Sequence, residues 1–98
     1  MFWGKLFPTK QDLVVAICDE ELIEKELKIK NHKIKISREF YGGELIDENV
    51  AVKAMEKATI GNLIGKKIVE LAKKKGFVTK ENVISISGVP HAQFVKTQ

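Results

Sequence analysis

Few side chains in this chain are equipped for chemistry, and they fall into two groups. The first is built on His91, in Gly88-Val89-Pro90-His91-Ala92-Gln93. Histidine titrates near neutral pH and can serve as acid, base or hydrogen-bond donor. A small enzyme could use His91 in that way, provided Cys18, Asp19 or Tyr41 converges on it. Cys18 with His91 is one conceivable nucleophile–base pair. Cys18 ends an apolar run, however, and buried thiols are mostly inert. The competing reading of His91 is a turn histidine satisfied by hydrogen bonds. Asp19 has its own structural role available, as a cap on a single turn over Asp19-Glu20-Glu21-Leu22.

The second group is cationic. Lys28, Lys30, Lys33 and Lys35 alternate with Leu27, Ile29, Ile34 and Ile36 about Asn31-His32. The spacing predicts two strands joined by a two-residue loop at Asn31-His32. That register sets Lys30 opposite Lys33, Ile29 opposite Ile34, Lys28 opposite Lys35 and Leu27 opposite Ile36. The apolar pairs then share one face and four lysines the other. Such a face could neutralise phosphates, or it could keep a sheet edge soluble and unpaired. Arg38 lies just beyond, and Tyr41 offers a ring on which a base could stack. Gly42 and Gly43 follow; adjacent glycines permit positive φ and close approach, or simply a turn into a helix.

The elements that must position these groups read in three parts. Residues 12–18 form a short β-branched run suited to a central strand buried on both faces. Residues 2–7 suit a preceding strand, ended by Pro8. Beyond Gly42-Gly43, Asp47 is a plausible N-cap, and apolar residues at helical spacing run from Val50 to Ala72, with a break near Thr59-Ile60-Gly61-Asn62. This predicts two helices, or one bent helix, ending at Lys73-Lys74-Lys75 and a left-handed Gly76, with Phe77 packing back. Residues 83–87 alternate again, and residues 92–96 can pair back on them after a turn at Gly88-Val89-Pro90. The expected fold is α+β: a mostly antiparallel sheet with one or two helices packed on one face.

Composition narrows the function classes. At 98 residues, with no repeats or linkers, one domain over 1–98 is expected. There is no phosphate loop, no GxGxxG fingerprint and no GxSxG elbow. One Cys and two His cannot close a zinc site, and no cofactor is expected. No run is long and apolar enough to span a bilayer, and the first residues lack the marks of a secretory signal. A single unpaired cysteine suits a reducing compartment, so a cytoplasmic location is expected. Seventeen basic against thirteen acidic residues, a net charge of +4, permits an anionic partner without specifying one.

Four segments together resemble a small archaeal family of uncharacterised proteins of about one hundred residues. They are VAICDEEL at residues 15–22, FYGGEL at 40–45, ATIGNLIG at 58–65 and GVPHAQ at 88–93. The family often has Ala at the position of Gly61, a departure expected to loosen a helix there. Its members look like neighbours of translation genes, notably the beta subunit of the archaeal initiation factor. The resemblance implies a link to translation or RNA by association; it carries no assigned activity and no transferable site residue. The leading expectation is a basic binding module for RNA or a ribosome-associated protein. In it, Lys28, Lys30, Lys33, Lys35 and Arg38 hold phosphates, Tyr41 stacks beside Gly42 and Gly43, and Asn62, His91 and Gln93 line a polar surface. The alternatives are the His91 enzyme and a protein-interaction subunit using Phe2, Trp3 and Phe7.

Overall fold

The computed structural model describes residues 1–97; Gln98, the last residue of the expected domain, lies outside the described residues. The elements follow in the order β1 (Phe2–Pro8), β2 (Leu13–Asp19), β3 (Glu26–Ile29), β4 (His32–Lys35), α1 (Arg38–Tyr41), β5 (Glu44–Ile46), α2 (Glu48–Lys57), β6 (Ile60–Ile64), α3 (Lys66–Lys74), β7 (Val83–Ile86) and β8 (Val89–Val95). Six strands form one sheet in the order β5-β1-β2-β6-β8-β7, and β3-β4 form a separate hairpin. Every pairing is antiparallel except β2 with β6. The fold is therefore α+β with a mostly antiparallel sheet, as expected.

The two-residue period of the strands sorts side chains between the faces. Val15, Ile17, Leu63, Ala92 and Phe94 join Ala51, Met55, Ile68 and Ala72 of α2 and α3 in one buried cluster. On the opposite face Ala16, Cys18 and Ile64 pack under Leu27, Ile36 and Tyr41, with Trp3 and Phe7 partly buried against them. The two long helices thus keep to one face, while the β3-β4 hairpin and short α1 lie on the other. Asp47 caps α2 as its position suggests, its Oδ1 accepting from the Val50 N–H at 2.9 Å. Gly76, at φ 82°, follows α3, and the Phe77 N–H closes the cap on the Ala72 carbonyl at 2.9 Å.

Four expectations are corrected. The break at Thr59-Ile60-Gly61-Asn62 is a strand: β6 runs through the centre of the sheet, parallel to β2, and splits the expected helical stretch. Apolar residues at positions 60, 63 and 64 satisfy helical and buried-strand spacing alike, so periodicity could not tell them apart. Gly61 accordingly loosens no helix. It faces Phe94 across β6-β8, and a Cβ there would meet the ring at 2.1 Å. The hairpin loop is Lys30-Asn31, with Lys30 at φ 52°, so the pairs are Leu27–Ile34, Lys28–Lys33, Glu26–Lys35 and Ile29–His32. A slip of two residues preserves the faces and changes every partner. Gly42-Gly43 do not lead directly into a helix but link short α1 to strand β5, Ser37 capping α1 through the Phe40 N–H at 3.2 Å. Finally, Val89 and Pro90 lie within β8, the turn being Ser87-Gly88.

Candidate functional site

The sheet face that carries the hairpin and α1 brings three candidate residues into contact. Tyr41 ends α1, Asn62 sits mid-strand on β6, and His91 lies on the neighbouring β8. The Asn62 amide oxygen accepts from the Tyr41 hydroxyl at 3.3 Å and bonds His91 Nε2 at 2.8 Å. A carbonyl oxygen can only accept, so His91 donates through Nε2–H and its neutral ring keeps a lone pair on Nδ1. Burial holds the His91 pKa below its ordinary 6.5 and favours that neutral form. Burial likewise pushes the Tyr41 hydroxyl up, keeping it a donor. Gln93 stands opposite Asn62 on β8 with its side chain exposed. The result is a row of uncharged donors and acceptors, Tyr41–Asn62–His91 with Gln93 beside it.

Tyr41 is 8% exposed, which corrects its expected role: a buried ring has no free face for a base. The partly buried aromatics on this side are Trp3, Phe7 and Phe40, the last stacked on Phe7 with ring centroids 5.3 Å apart. The Arg38 guanidinium lies 5.4 Å from the Trp3 ring centroid, and the Lys5 ammonium 5.0 Å from that of Phe7. Lys5 also donates to the Glu39 carbonyl at 2.8 Å. Sequence reading missed Lys5; its alternation with Trp3 and Phe7 was the available signal. Gly42 and Gly43 both avoid positive φ. Their smallness serves close approach instead: a Cβ would lie 2.7 Å from the Arg38 carbonyl at Gly42 and 2.7 Å from the Gly4 carbonyl at Gly43.

The lysines divide. Lys28 and Lys33 stand directly opposed on the outer, exposed face of the hairpin. Lys30 is in the loop. Lys35 pairs across from Glu26 and makes an ion pair with Glu24 at 3.5 Å. Glu24 also accepts from the Arg38 N–H at 2.9 Å, a bond that holds its carboxyl below the ordinary range. The face of four free ammonium groups is thus reduced to a Lys28–Lys33 pair, with Lys30 at the tip.

Cys18 and His91 do not form a nucleophile–base pair. Cys18 pairs with Ile64, and Ile64 with His91, so two strand spacings separate them, roughly 9–10 Å. Burial, reinforced by the neighbouring Asp19 charge, pushes the Cys18 thiol up to about 12. Asp19 caps no turn of its own. Its buried carboxylate accepts from the Lys67 and Ile68 N–H groups at 2.9 and 2.8 Å, capping α3 from the end of β2. Gly65 precedes α3 at φ 127°, and a Cβ there would meet the Asp19 carboxyl carbon at 2.4 Å. The sequence signal for this distant cap was the missing one: no Ser, Thr, Asp or Asn immediately precedes α3. Three cavities lie elsewhere. One of about 660 Å³ opens between Phe2, the start of α2 and Lys67 and Leu71. One of about 350 Å³ lies beside Gly4, Ile46 and Val50, and one of about 390 Å³ beside Asp19 and Pro90.

Chemically, this arrangement can exchange hydrogen bonds and attract anions. It combines neutral hydrogen-bonding edges on β6 and β8, cations against aromatic rings, and a basic hairpin on the same side. No helix among the described residues is long and apolar enough to cross a membrane. No curated protein matches the chain. It is similar in structure to an uncharacterised conserved protein from Methanopyrus kandleri, with a TM-score of 0.84 and 26% identity over 99% of this chain and 94% of that one. The model of a family described as proteins of unknown function (DUF424) matches residues 8–97, and the chain belongs to that family.

Proposed function

We propose that this protein is a small RNA-binding module, a single cytoplasmic domain whose sheet face opposite α2 and α3, together with the basic hairpin, holds a single strand. One juxtaposition carries the reading. Lys28, Lys33 and Arg38 lie on the same side of the sheet as the Gln93–Asn62–His91 row and the half-exposed Trp3. Ammonium and guanidinium groups suit phosphates. Uncharged amide and imidazole edges suit bases, which have hydrogen-bonding rims and no charge. The net charge of +4 adds attraction at long range.

A filter-binding titration with mixed-sequence single-stranded RNA, repeated over a range of salt concentrations, tests this. Binding at micromolar protein that weakens with salt is expected. Replacing Lys28 and Lys33 by Ala should reduce the log–log salt slope by about 1.4, since each phosphate contact contributes about 0.7 for a single strand. Absence of salt-dependent binding at micromolar protein overturns the reading. A partner retained from lysate after RNase treatment points instead to a ribosome-associated protein.

A further inference from the structure

The free edge of β7 is unlike the other exposed strands of the molecule. Thirty of the 98 residues are charged, yet residues 83–95, the whole β7-β8 hairpin, contain no Asp, Glu, Lys or Arg. Exposed strands are normally guarded by charge, by proline or by being very short. The opposite sheet edge, β5, has three residues, one of them Glu44, and runs into Asp47. The hairpin strands carry Lys28, Lys33 and Lys35. Strand β7, Val83-Ile84-Ser85-Ile86, carries neither charge nor proline, and Ile84 is 58% exposed.

The turn geometry says which backbone groups face outward. Ser87 and Gly88 both have positive φ, 51° and 82°, as a type I′ two-residue turn requires. Ile86–Val89 is then a hydrogen-bonded pair, and alternation makes Ile84–His91 another. Ser85–Pro90 falls at a position without ladder bonds, consistent with the N–H that Pro90 lacks. The Ser85 N–H and C=O therefore point away from the sheet, as does the Val83 C=O. The Val83 N–H is already used, donating to the Lys80 carbonyl.

We infer that β7 is a self-association edge, at which two copies of this chain join their sheets antiparallel about a two-fold axis through Ser85. In that register the two Ser85 residues exchange a pair of backbone hydrogen bonds. Ile84 of each copy lies opposite Ile86 of the other at a position without ladder bonds, where cross-strand side chains approach most closely. A two-fold contact sets a surface against itself, so any charge near the axis meets its own kind. An uncharged strand with alternating isoleucines is self-complementary in that sense, and the lysine-bearing strands are not. The Ser87 hydroxyl is tied to the Lys28 carbonyl, so the β3-β4 hairpin rests against the turn end of β7, while Ile84 and Ser85 are exposed.

The test is sedimentation equilibrium on nuclease-treated full-length protein from about 10 µM to about 1 mM, the range of weak, small interfaces. A monomer–dimer equilibrium is expected. Ile84→Lys should weaken it at least tenfold, to about a tenth of its association constant, with an unchanged circular dichroism spectrum because the site is on the surface. Protection of the Ser85 amide from exchange should rise with protein concentration. A wild-type protein that stays monomeric to about 1 mM overturns the inference. So does a dimer whose constant Ile84→Lys leaves within about threefold.

Discussion

The Asn62 amide oxygen is the meeting point of the sheet face opposite α2 and α3, because Tyr41 and His91 both direct their donors at it. Asn62→Asp would place a carboxylate 2.8 Å from His91 Nε2. In the wild type His91 titrates below 6.5 because burial disfavours the charged ring. Its contribution to stability is then complete above 6.5 and is lost as pH falls through the folded value. In Asn62→Asp the sign reverses: the pair raises the His91 pKa above 6.5, and stability is lost as pH rises through it. Imidazole chemical shifts followed against pH report the first change, and urea midpoints at several pH values the second. A His91 titration that does not move would show that the ring does not bond position 62. His91, Asn62 and Gln93 were legible in sequence as polar residues among apolar ones. Their contacts were not, because 29 residues separate Asn62 from His91 and only the β6-β8 register joins them.

At the scale of the element, the β3-β4 hairpin shows how much a repeat of two conveys. The alternation settles which side chains face out, and any slip by two residues leaves that unchanged. Partners depend on the loop, and Lys30 at φ 52° places it one residue earlier on each side than Asn31-His32 suggests. The result sets Lys28 directly against Lys33 while Lys35 finds Glu24 and Glu26. Lys28→Glu should relieve that repulsion and stabilise the protein by about 0.2–1 kcal/mol, read from the urea midpoint. The same change should weaken RNA retention on filters. A variant that is more stable and binds equally well would remove the hairpin from the RNA surface. Helix α2 was legible because its cap, Asp47, is local; β6 was not, because Ile60, Leu63 and Ile64 fit either period and only burial between β2 and β8 makes them a strand.

For the whole molecule, the Asp19 carboxylate joins the end of β2 to the start of α3 across 48 residues. Asp19→Ala strands two N–H groups at a buried helix start and should cost about 2 kcal/mol in chemical denaturation. Asp19→Asn keeps an acceptor without the charge. Burial outweighs the two N–H donors and raises the Asp19 pKa above 3.8. The wild type should therefore lose stability relative to Asp19→Asn as pH rises from 3.8 through the folded value. The opposite slope would show that the N–H donors outweigh burial. Sequence alone determined the α+β class, the strands β1, β2, β7 and β8 and the β3-β4 hairpin, the caps at Asp47 and Gly76, the outward lysines and the absence of any familiar catalytic motif. All of these follow from local propensity and period, which need only a few neighbouring residues. Tertiary structure alone decided the parallel β2-β6 pair at the centre, Asp19 as a cap for α3, the pairing of Lys35 with acids, and the union of Tyr41, Asn62 and His91. Each is a contact between distant parts of the chain, selected by burial and hydrogen-bond satisfaction after the elements have packed.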